Sequence, residues 1–379
     1  MRFASCVALV AAALGASVAQ DLFHNGFHLA SLTPGELFSA QSQPVETVLS
    51  HAKERYLFTY RSRGSHDQPI TVSGYTLLPK GDPPQGGWPI MAWAHGTTGV
   101  ADICALSSVY PGGPEYDYQD ITLPVLDAWL QKGFAVVSTD YEGLGMPGVH
   151  TYINAKSQMQ TVVDSVRAMR RMYPNATNDK WIAMGHSQGG AAALSVAASG
   201  REYGRELDLR GVVSIAPGPS GSMHIAQLGS PPIPVGEVVF LPILLLGAQA
   251  VEPSLNVSNL LDDAMKPVML MAGSYCLSEL RKNITKSPER VFKEDADLQP
   301  LRSYIQKQSV QTMEPNVPVL FVQGTADEVI SPNGTRSYYE KLHAENRTVF
   351  YEPVVNGSHR DALAKSPTLI NAFLEKTLQ

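Results

Sequence analysis

The sequence predicts an α/β fold, in which a mostly parallel central sheet is flanked by helices on both faces. Short apolar runs typical of buried strands alternate along the chain with segments of helical periodicity. One such run, residues 181–184, ends in a Gly-x-Ser-x-Gly motif that is followed by a helix-like stretch of small residues. Polar residues follow several of the runs directly, where doubly wound sheets place their reactive groups.

Each predicted element rests on one of these runs. The core strands are expected at residues 89–94, 134–139, 181–184, 212–215, 317–322 and 348–351. Two earlier strands, at residues 55–61 and 71–78, are expected to be antiparallel, and the proline-containing segment 22–43 is expected to be irregular. Helices fit residues 123–131 and 158–172, between the core strands.

The Gly-x-Ser-x-Gly motif points to Ser187 as a nucleophile. A strand that enters a helix through so sharp a turn holds the serine in a strained conformation with its hydroxyl exposed. The motif alone is a weak signal, but its position between a buried strand and a small-residue helix favours this interpretation over an idle serine in a glycine-rich turn. His186 neighbours Ser187 in the sequence and cannot easily turn back to its hydroxyl, so we expect it to be a packing residue.

A serine hydroxyl needs a base to take its proton, and the base needs a group that orients it. His359 follows the last predicted strand, and Asp327 comes first after the strand that ends near residue 324. Glu328 and Asp361 compete for the acid's position, but we favour Asp327 because it lies closest to the strand end. The chain order Ser, Asp, His is the one expected for an α/β-hydrolase.

Acyl transfer also requires donors for a developing oxyanion. The backbone N–H of Gln188, directly after the candidate nucleophile, is the first expected donor. The second is expected from the loop that begins with His95, where Thr97 is preferred to Thr98. An ordinary turn remains the alternative for that loop.

The motifs together make the chain resemble the secretory lipase family of α/β-hydrolases, the lipase A type found in fungi and related to bacterial esterases. The resemblance extends over about residues 55–379 and is carried by five segments, residues 95–99, 140–145, 185–189, 324–327 and 357–359. It implies hydrolysis of carboxylic esters of moderately hydrophobic acids, and a cap inserted before the strand that bears the acid. It leaves open true lipases, short-chain esterases and enzymes of acylated secondary metabolites.

The spacing of the strands predicts the domain organisation. Roughly a hundred residues separate the strands at 212–215 and 317–322, far more than one crossover needs. We therefore expect a hydrolase core at residues 20–216 and 315–379 and a mainly helical cap at 217–314. The apolar segment 238–247 within this cap is too short to span a membrane, and it either forms a buried helix or lines an acyl tunnel or lid.

The N-terminus predicts export. Residues 1–19 have the basic start, apolar stretch and small-residue end of a signal peptide, with cleavage before Gln20. The mature chain then keeps two cysteines, Cys104 and Cys276, and an even pair in an oxidising compartment suggests a disulfide between them rather than two free thiols. The resemblance implies a similar bridge. Six Asn-x-Ser/Thr sequons predict a glycoprotein, at Asn175, Asn256, Asn283, Asn333, Asn346 and Asn356.

Composition and the remaining motifs exclude several classes of function. The net charge of −6 and the absence of a basic stripe argue against nucleic-acid binding. Residues 143–148 match Gly-x-Gly-x-x-Gly, but the preceding strand is not the first of its sheet and Pro147 delays the helix, so no nucleotide cofactor is expected. The small residues of this loop leave room at the mouth of the site, where Tyr141 is expected to contact substrate. No metal is expected, since no zinc motif occurs.

We therefore expect a monomeric, secreted hydrolase of small-molecule or lipid esters, with transient contact with a lipid interface left open. Three other interpretations remain. A serine peptidase of related fold would use the same residues, an acyltransferase would pass the acyl group to an alcohol, and a non-catalytic binding module would keep only the fold.

Overall fold

The computed structural model describes residues 32–218 and 233–378. Within these ranges nine strands form one sheet, in the spatial order β1-β2-β3-β5-β4-β6-β7-β8-β9. The strands are β1 (Leu37–Gln43), β2 (Ala52–Arg63), β3 (Pro69–Pro79), β4 (Trp88–Ala94), β5 (Ala135–Thr139), β6 (Thr177–His186), β7 (Asp208–Ile215), β8 (Val319–Gly324) and β9 (Val349–Val354). The predicted signal peptide lies outside the described residues.

The sheet consists of an antiparallel part and a parallel part. Strands β1, β2 and β3 pair antiparallel, as does β3 with β5, whereas all pairs from β5 through β9 are parallel. All eight predicted strands are confirmed, including the antiparallel first two. The expectation of an irregular segment was wrong for residues 37–43, which form β1. Its sequence lacks apolar alternation, and it becomes a strand by pairing with β2 at the edge of the sheet.

Twelve α-helices lie in the described ranges. They are α1 (Tyr116–Gln131), α2 (Ala155–Met172), α3 (Gln188–Tyr203), α4 (Val235–Val238), α5 (Leu241–Val251), α6 (Val257–Leu260), α7 (Lys266–Ala272), α8 (Leu277–Asn283), α9 (Gln299–Lys307), α10 (Pro332–Ala344), α11 (His359–Leu369) and α12 (Asn371–Thr377). Apolar residues of α2, α3 and α10 pack on one face of the sheet, and those of α1, α11 and α12 pack on the other. Parallel strands covered on both faces read as continuous apolar runs, which is why they could be predicted.

Two helices begin earlier than expected. Helix α2 starts at Ala155 because the side chain of Asn154 accepts a hydrogen bond from the backbone N–H of Ser157 at 2.9 Å. Helix α1 starts at Tyr116, seven residues before its predicted beginning, and contains Pro124. A proline inside a helical pattern usually marks a boundary, which explains the late prediction.

Residues 233–314 form a helical insertion between β7 and β8. Its helices α4 to α9 bury an apolar cluster of their own, to which residues 152–153 of the core also contribute. Residues 241–247 of the apolar segment 238–247 belong to helix α5, and most of them are buried. No helix in the described part of the chain is long and apolar enough to cross a membrane.

A disulfide and a hydrogen bond are among the contacts that fasten this insertion to the core. A disulfide joins Cys104, in the loop after β4, to Cys276, directly before α8. The carboxylate of Glu115, directly before α1, accepts a hydrogen bond from the backbone N–H of Ser278 at 2.6 Å. Glu115 is only 3% exposed. Burial raises its pKa to about 7, although its hydrogen bonds from Ser278 act in the opposite direction.

This buried carboxyl group predicts a pH-dependent stability. Between the usual glutamate pKa of 4.5 and about 7, folded Glu115 holds a proton that the unfolded chain releases, so stability falls as pH rises through this window. We expect the free energy of unfolding of wild type to fall by about 2–3 kcal/mol between pH 5 and pH 8, relative to the change in Glu115→Gln over the same range. Denaturant unfolding of both proteins at the two pH values measures this difference, and parallel pH profiles would contradict it.

Candidate active site

Ser187 occupies a strained turn between β6 and α3. Its backbone has φ 58° and ψ −118°, a conformation that is costly for a residue with a side chain. The backbone N–H of Ser187 donates to the carbonyl oxygen of Ile215 in β7 at 2.9 Å, and its carbonyl accepts from Gly218 at 3.1 Å. The neighbouring strand end therefore holds the turn in this conformation.

The glycines of the motif are required by close packing. A Cβ atom on Gly185 would lie 2.0 Å from the carbonyl oxygen of Gly189, and one on Gly189 would lie 1.9 Å from the carbonyl oxygen of Ala94. Backbone atoms cannot move aside as a flexible side chain can. The spacing of the motif is therefore set by the contact between the start of α3 and the ends of β4 and β6.

His359 and Asp327 are brought together at the carboxyl edge of the sheet. Asp327 follows β8, and His359 is the first residue of α11, shortly after β9. The Nδ1 atom of His359 lies 2.8 Å from Oδ2 of Asp327, and both residues are buried. Since Nδ1 is occupied by the carboxylate, Nε2 is the nitrogen left for proton exchange. No hydrogen bond links it to Oγ of Ser187 among the described residues.

The carboxylate of Asp327 is fully engaged. Its Oδ1 atom accepts from the backbone N–H groups of Val329 and Ile330, both at 2.8 Å. Its Oδ2 atom accepts from Nε2 of Gln323 at 2.8 Å as well as from His359. Burial alone would raise the pKa of Asp327, but the hydrogen bond and charge of His359 and the two amides outweigh it and lower the pKa.

The two competing acids have other partners. Asp361 accepts from the backbone N–H of Ser358 at 2.9 Å and caps the first turn of α11. Glu328 accepts a long 3.4 Å hydrogen bond from the backbone N–H of His359 and makes no contact with its ring in the described structure. Of the three acids weighed from the sequence, Asp327 is the one that contacts the imidazole.

The expected oxyanion donors lie on the loop after β4 and at the start of α3. No hydrogen bond within the described ranges uses the backbone N–H of Thr97 or Gln188. The backbone N–H of Gly96, by contrast, donates to the hydroxyl of Tyr118 at 2.8 Å. The carbonyl of Thr98 accepts from Leu277 of the insertion at 2.7 Å, which makes Thr98 an anchor of α8.

The side chains of both candidate donors are held in place. Oγ1 of Thr97 is hydrogen bonded to the hydroxyl of Tyr152 at 2.9 Å. Nε2 of Gln188 lies 3.1 Å from Nε2 of His150, whose Nδ1 lies 2.9 Å from the carbonyl oxygen of Glu142. Burial lowers the pKa of His150 to about 4, so its ring is neutral near pH 7 and accepts the hydrogen bond from Gln188.

The structure places Tyr141 differently from the sequence-based expectation of a substrate contact. Its ring is fully buried, and its hydroxyl donates to the carbonyl oxygen of His95 at 2.8 Å. The ring packs between those of His95 and His150. Tyr141 thus supports the loop that carries Thr97, because its hydroxyl holds the carbonyl of His95 at the start of that loop.

The remaining predicted features are exposed or structural. All six sequon asparagines lie at exposed positions, including Asn356 in the turn before His359. Asp140 and Glu142, in the glycine-rich segment, are buried carboxylates satisfied by neutral donors such as Ser73 and Ser157. No cluster of three or more metal-ligating side chains occurs in the described ranges.

Comparison with solved structures supports the fold. The ligand-bound rice cell wall degrading esterase LipA from Xanthomonas oryzae has a TM-score of 0.73 and 18% sequence identity, with 92% of this chain and 99% of that chain covered. Candida antarctica lipase A has a TM-score of 0.73 and 17% identity, with 87% and 79% covered. Both are α/β-hydrolase structures, and this chain has the same fold, as predicted.

Sequence comparison gives the family. The protein named Lipase A from Moesziomyces aphidis is 22% identical over 191 residues, which cover 48% of this chain and 39% of that protein, so the match spans less than half the relative's length. The model of the secretory lipase family matches residues 119–371, about two thirds of the chain. The predicted resemblance is confirmed: the chain belongs to the secretory lipase family.

Proposed function

We propose that the protein is a secreted serine hydrolase that cleaves carboxylic esters through an acyl-enzyme. The observation that carries the proposal is the buried hydrogen bond between His359 and Asp327 at the edge of the sheet where Ser187 sits in its strained turn. Membership of the secretory lipase family and the likeness to a lipase and an esterase support ester hydrolysis. They leave the choice of ester open.

Ser187 is the proposed nucleophile and His359 its base. Asp327 holds Nδ1 of His359 protonated, so Nε2 takes the proton of Ser187 as its oxygen attacks the ester carbonyl. His359 then gives this proton to the departing alcohol, which leaves the acyl group on Ser187. Water enters and loses a proton to His359 as it attacks the acyl carbon. His359 then returns this proton to Oγ of Ser187 as the bond to the acyl group breaks, which releases the acid.

Two backbone amides are the proposed oxyanion donors. The N–H of Gln188 is the first of helix α3, where the helix dipole also favours negative charge. The N–H of Thr97 comes from the facing loop. Donors fixed by buried side-chain contacts need no rearrangement when the charge develops, which is the source of their catalytic effect.

Secretion is supported by several independent features. The signal peptide predicted from the sequence, the disulfide between Cys104 and Cys276 and the exposed sequons all suit an oxidising, exported environment. The family to which the chain belongs is that of the secretory lipases. We propose that cleavage before Gln20 yields the mature extracellular protein.

The proposed activity is tested with p-nitrophenyl esters from acetate to palmitate. We expect hydrolysis of some of these esters, and the chain length of the best substrate separates an esterase from a lipase. Parallel assays with p-nitroanilides and with an added alcohol measure the peptidase and acyltransferase alternatives. Faster cleavage of anilides than of esters, or transfer that exceeds hydrolysis, would replace the proposal with that alternative.

A further inference from the structure

A chain of hydrogen bonds runs through the buried side chains of Tyr118 and His186 and connects two parts of the site. The backbone N–H of Gly96 lies 2.8 Å from the hydroxyl oxygen of Tyr118. That oxygen lies 3.2 Å from Nδ1 of His186, and Nε2 of His186 lies 3.1 Å from the carbonyl oxygen of His359. The loop carrying Thr97 is thereby linked to the backbone of the proposed base.

These hydrogen bonds can run in one direction only, from the N–H of Gly96 to the carbonyl of His359. The amide of Gly96 can only donate, and the carbonyl of His359 can only accept. Burial, and then the charge of His359, hold the pKa of His186 well below its usual value, so its ring is neutral. Its single N–H is therefore on Nε2, and Nδ1 accepts the hydroxyl proton of Tyr118.

The packing around these two rings is close. Tyr118 is 5% exposed and His186 is 2% exposed. The centroid of the His186 ring lies 5.9 Å from that of the Tyr118 ring and 4.4 Å from that of the His359 ring. A Cβ atom on Gly96 would lie 2.8 Å from the hydroxyl of Tyr118, so a glycine is needed for this approach.

We propose that Tyr118 and His186 are positioning residues. They hold the backbone of His359 and the loop that carries Thr97 in the correct position relative to Ser187. Asp327 fixes only the ring of His359, whereas His186 fixes the peptide group from which that ring projects. This role exceeds the packing function expected of His186 from the sequence, and Tyr118 belongs to no motif. The inference rests on the proposed function, because it assigns a role within the same site.

The test compares three variants with a matched control. Tyr118→Phe removes the hydroxyl and keeps the ring, and His186→Phe removes both nitrogens and keeps the packing. His186→Gln keeps one acceptor and one donor at the end of the side chain and is the conservative variant. The control is Tyr338→Phe, which removes the hydroxyl of a buried tyrosine that donates to the carbonyl of Met313, away from the site.

For each protein we would measure kcat and KM on the best p-nitrophenyl ester, the rate of covalent labelling by a fluorophosphonate, and the melting temperature. We expect Tyr118→Phe and His186→Phe to lower kcat and the labelling rate about 10- to 100-fold, with KM within about twofold, because a small misplacement of a reacting group is this costly. His186→Gln should recover most of the loss. Tyr338→Phe should lose stability without losing kcat.

The inference is overturned if Tyr118→Phe and His186→Phe keep kcat and the labelling rate within about twofold of wild type, or if Tyr338→Phe loses as much activity as they do. If His186→Phe does not fold, Tyr118→Phe decides the question. Wild type that neither hydrolyses esters nor reacts with the fluorophosphonate would overturn the proposed function, and the inference with it. An active wild type with fully active variants would overturn the inference alone.

Discussion

Replacing Ser187 by alanine is expected to lower kcat for ester hydrolysis by at least about 10³-fold and at most about 10⁶-fold. The variant keeps the fixed amides of Thr97 and Gln188 but has no atom that can form the acyl-enzyme, so only their stabilisation of water attack remains. Alanine adds no atom to the crowded turn, and the backbone contacts of Ser187 to Ile215 and Gly218 are preserved. The melting temperature should therefore stay close to that of wild type.

The matched control is Ser195→Ala, on the same helix α3. Ser195 is 5% exposed, and its hydroxyl donates to the carbonyl of Ala191 one turn earlier. We expect this variant to retain wild-type kcat. If Ser187→Ala kept more than about a tenth of the wild-type kcat, Ser187 could not be the nucleophile.

Replacing Asp327 by asparagine is expected to lower kcat by about 10⁴-fold, the second largest effect. Both carboxylate oxygens accept two hydrogen bonds each, one pair from the backbone of residues 329–330 and the other from Gln323 and His359. An asparagine must place its NH₂ group against one of these pairs. With the NH₂ towards His359, Nδ1 becomes an acceptor, the proton moves to Nε2, and the ring can no longer take the proton of Ser187.

The lowered pKa of Asp327 also gives this variant a signature in stability. A carboxyl group with a lowered folded pKa contributes stability that is present above the unfolded value of 3.8 and is lost as pH falls through the folded value. Asp327→Asn should therefore be less stable than wild type near pH 7, and the difference should shrink below about pH 4. Denaturant unfolding at several pH values measures it.

Glu328→Gln and Asp361→Asn are the controls for the choice of acid. Neither carboxylate contacts the ring of His359 in the described structure, and an amide oxygen can still accept the backbone hydrogen bonds that each receives. Both variants should keep kcat within about tenfold of wild type. If kcat fell about 10⁴-fold in Glu328→Gln while Asp327→Asn stayed active, Glu328 and not Asp327 would be the acid that orients His359.

The core of the fold and the positions of Ser187, Asp327 and His359 at strand ends could be predicted from local patterns. Fully buried parallel strands are continuous apolar runs, and the residues that follow them reach one edge of the sheet in any doubly wound fold. The early start of α1 could not be predicted in this way, because Pro124 inside the helix has the signature of a helix boundary.

Contacts between distant segments account for what the sequence did not predict. Glu115 belongs to no sequence motif, and only the fold shows that it is buried and accepts a hydrogen bond from the N–H of Ser278 in α8. Tyr118 lies 22 residues beyond Gly96 in the chain, yet their hydrogen bond connects α1 with the loop that carries Thr97. Tyr141 was expected to contact substrate because its neighbours are small, but its ring is fully buried and its hydroxyl donates to the carbonyl of His95.

In the proposed mechanism Ser187 carries the acyl group, and trapping this intermediate tests that role. Wild type is mixed with a p-nitrophenyl ester, quenched in acid within the first turnover, digested and examined by mass spectrometry. We expect the acyl mass on the peptide that contains Ser187, and no such adduct in Ser187→Ala. Steady turnover without this adduct, or an adduct on another residue that persists in Ser187→Ala, would contradict the account.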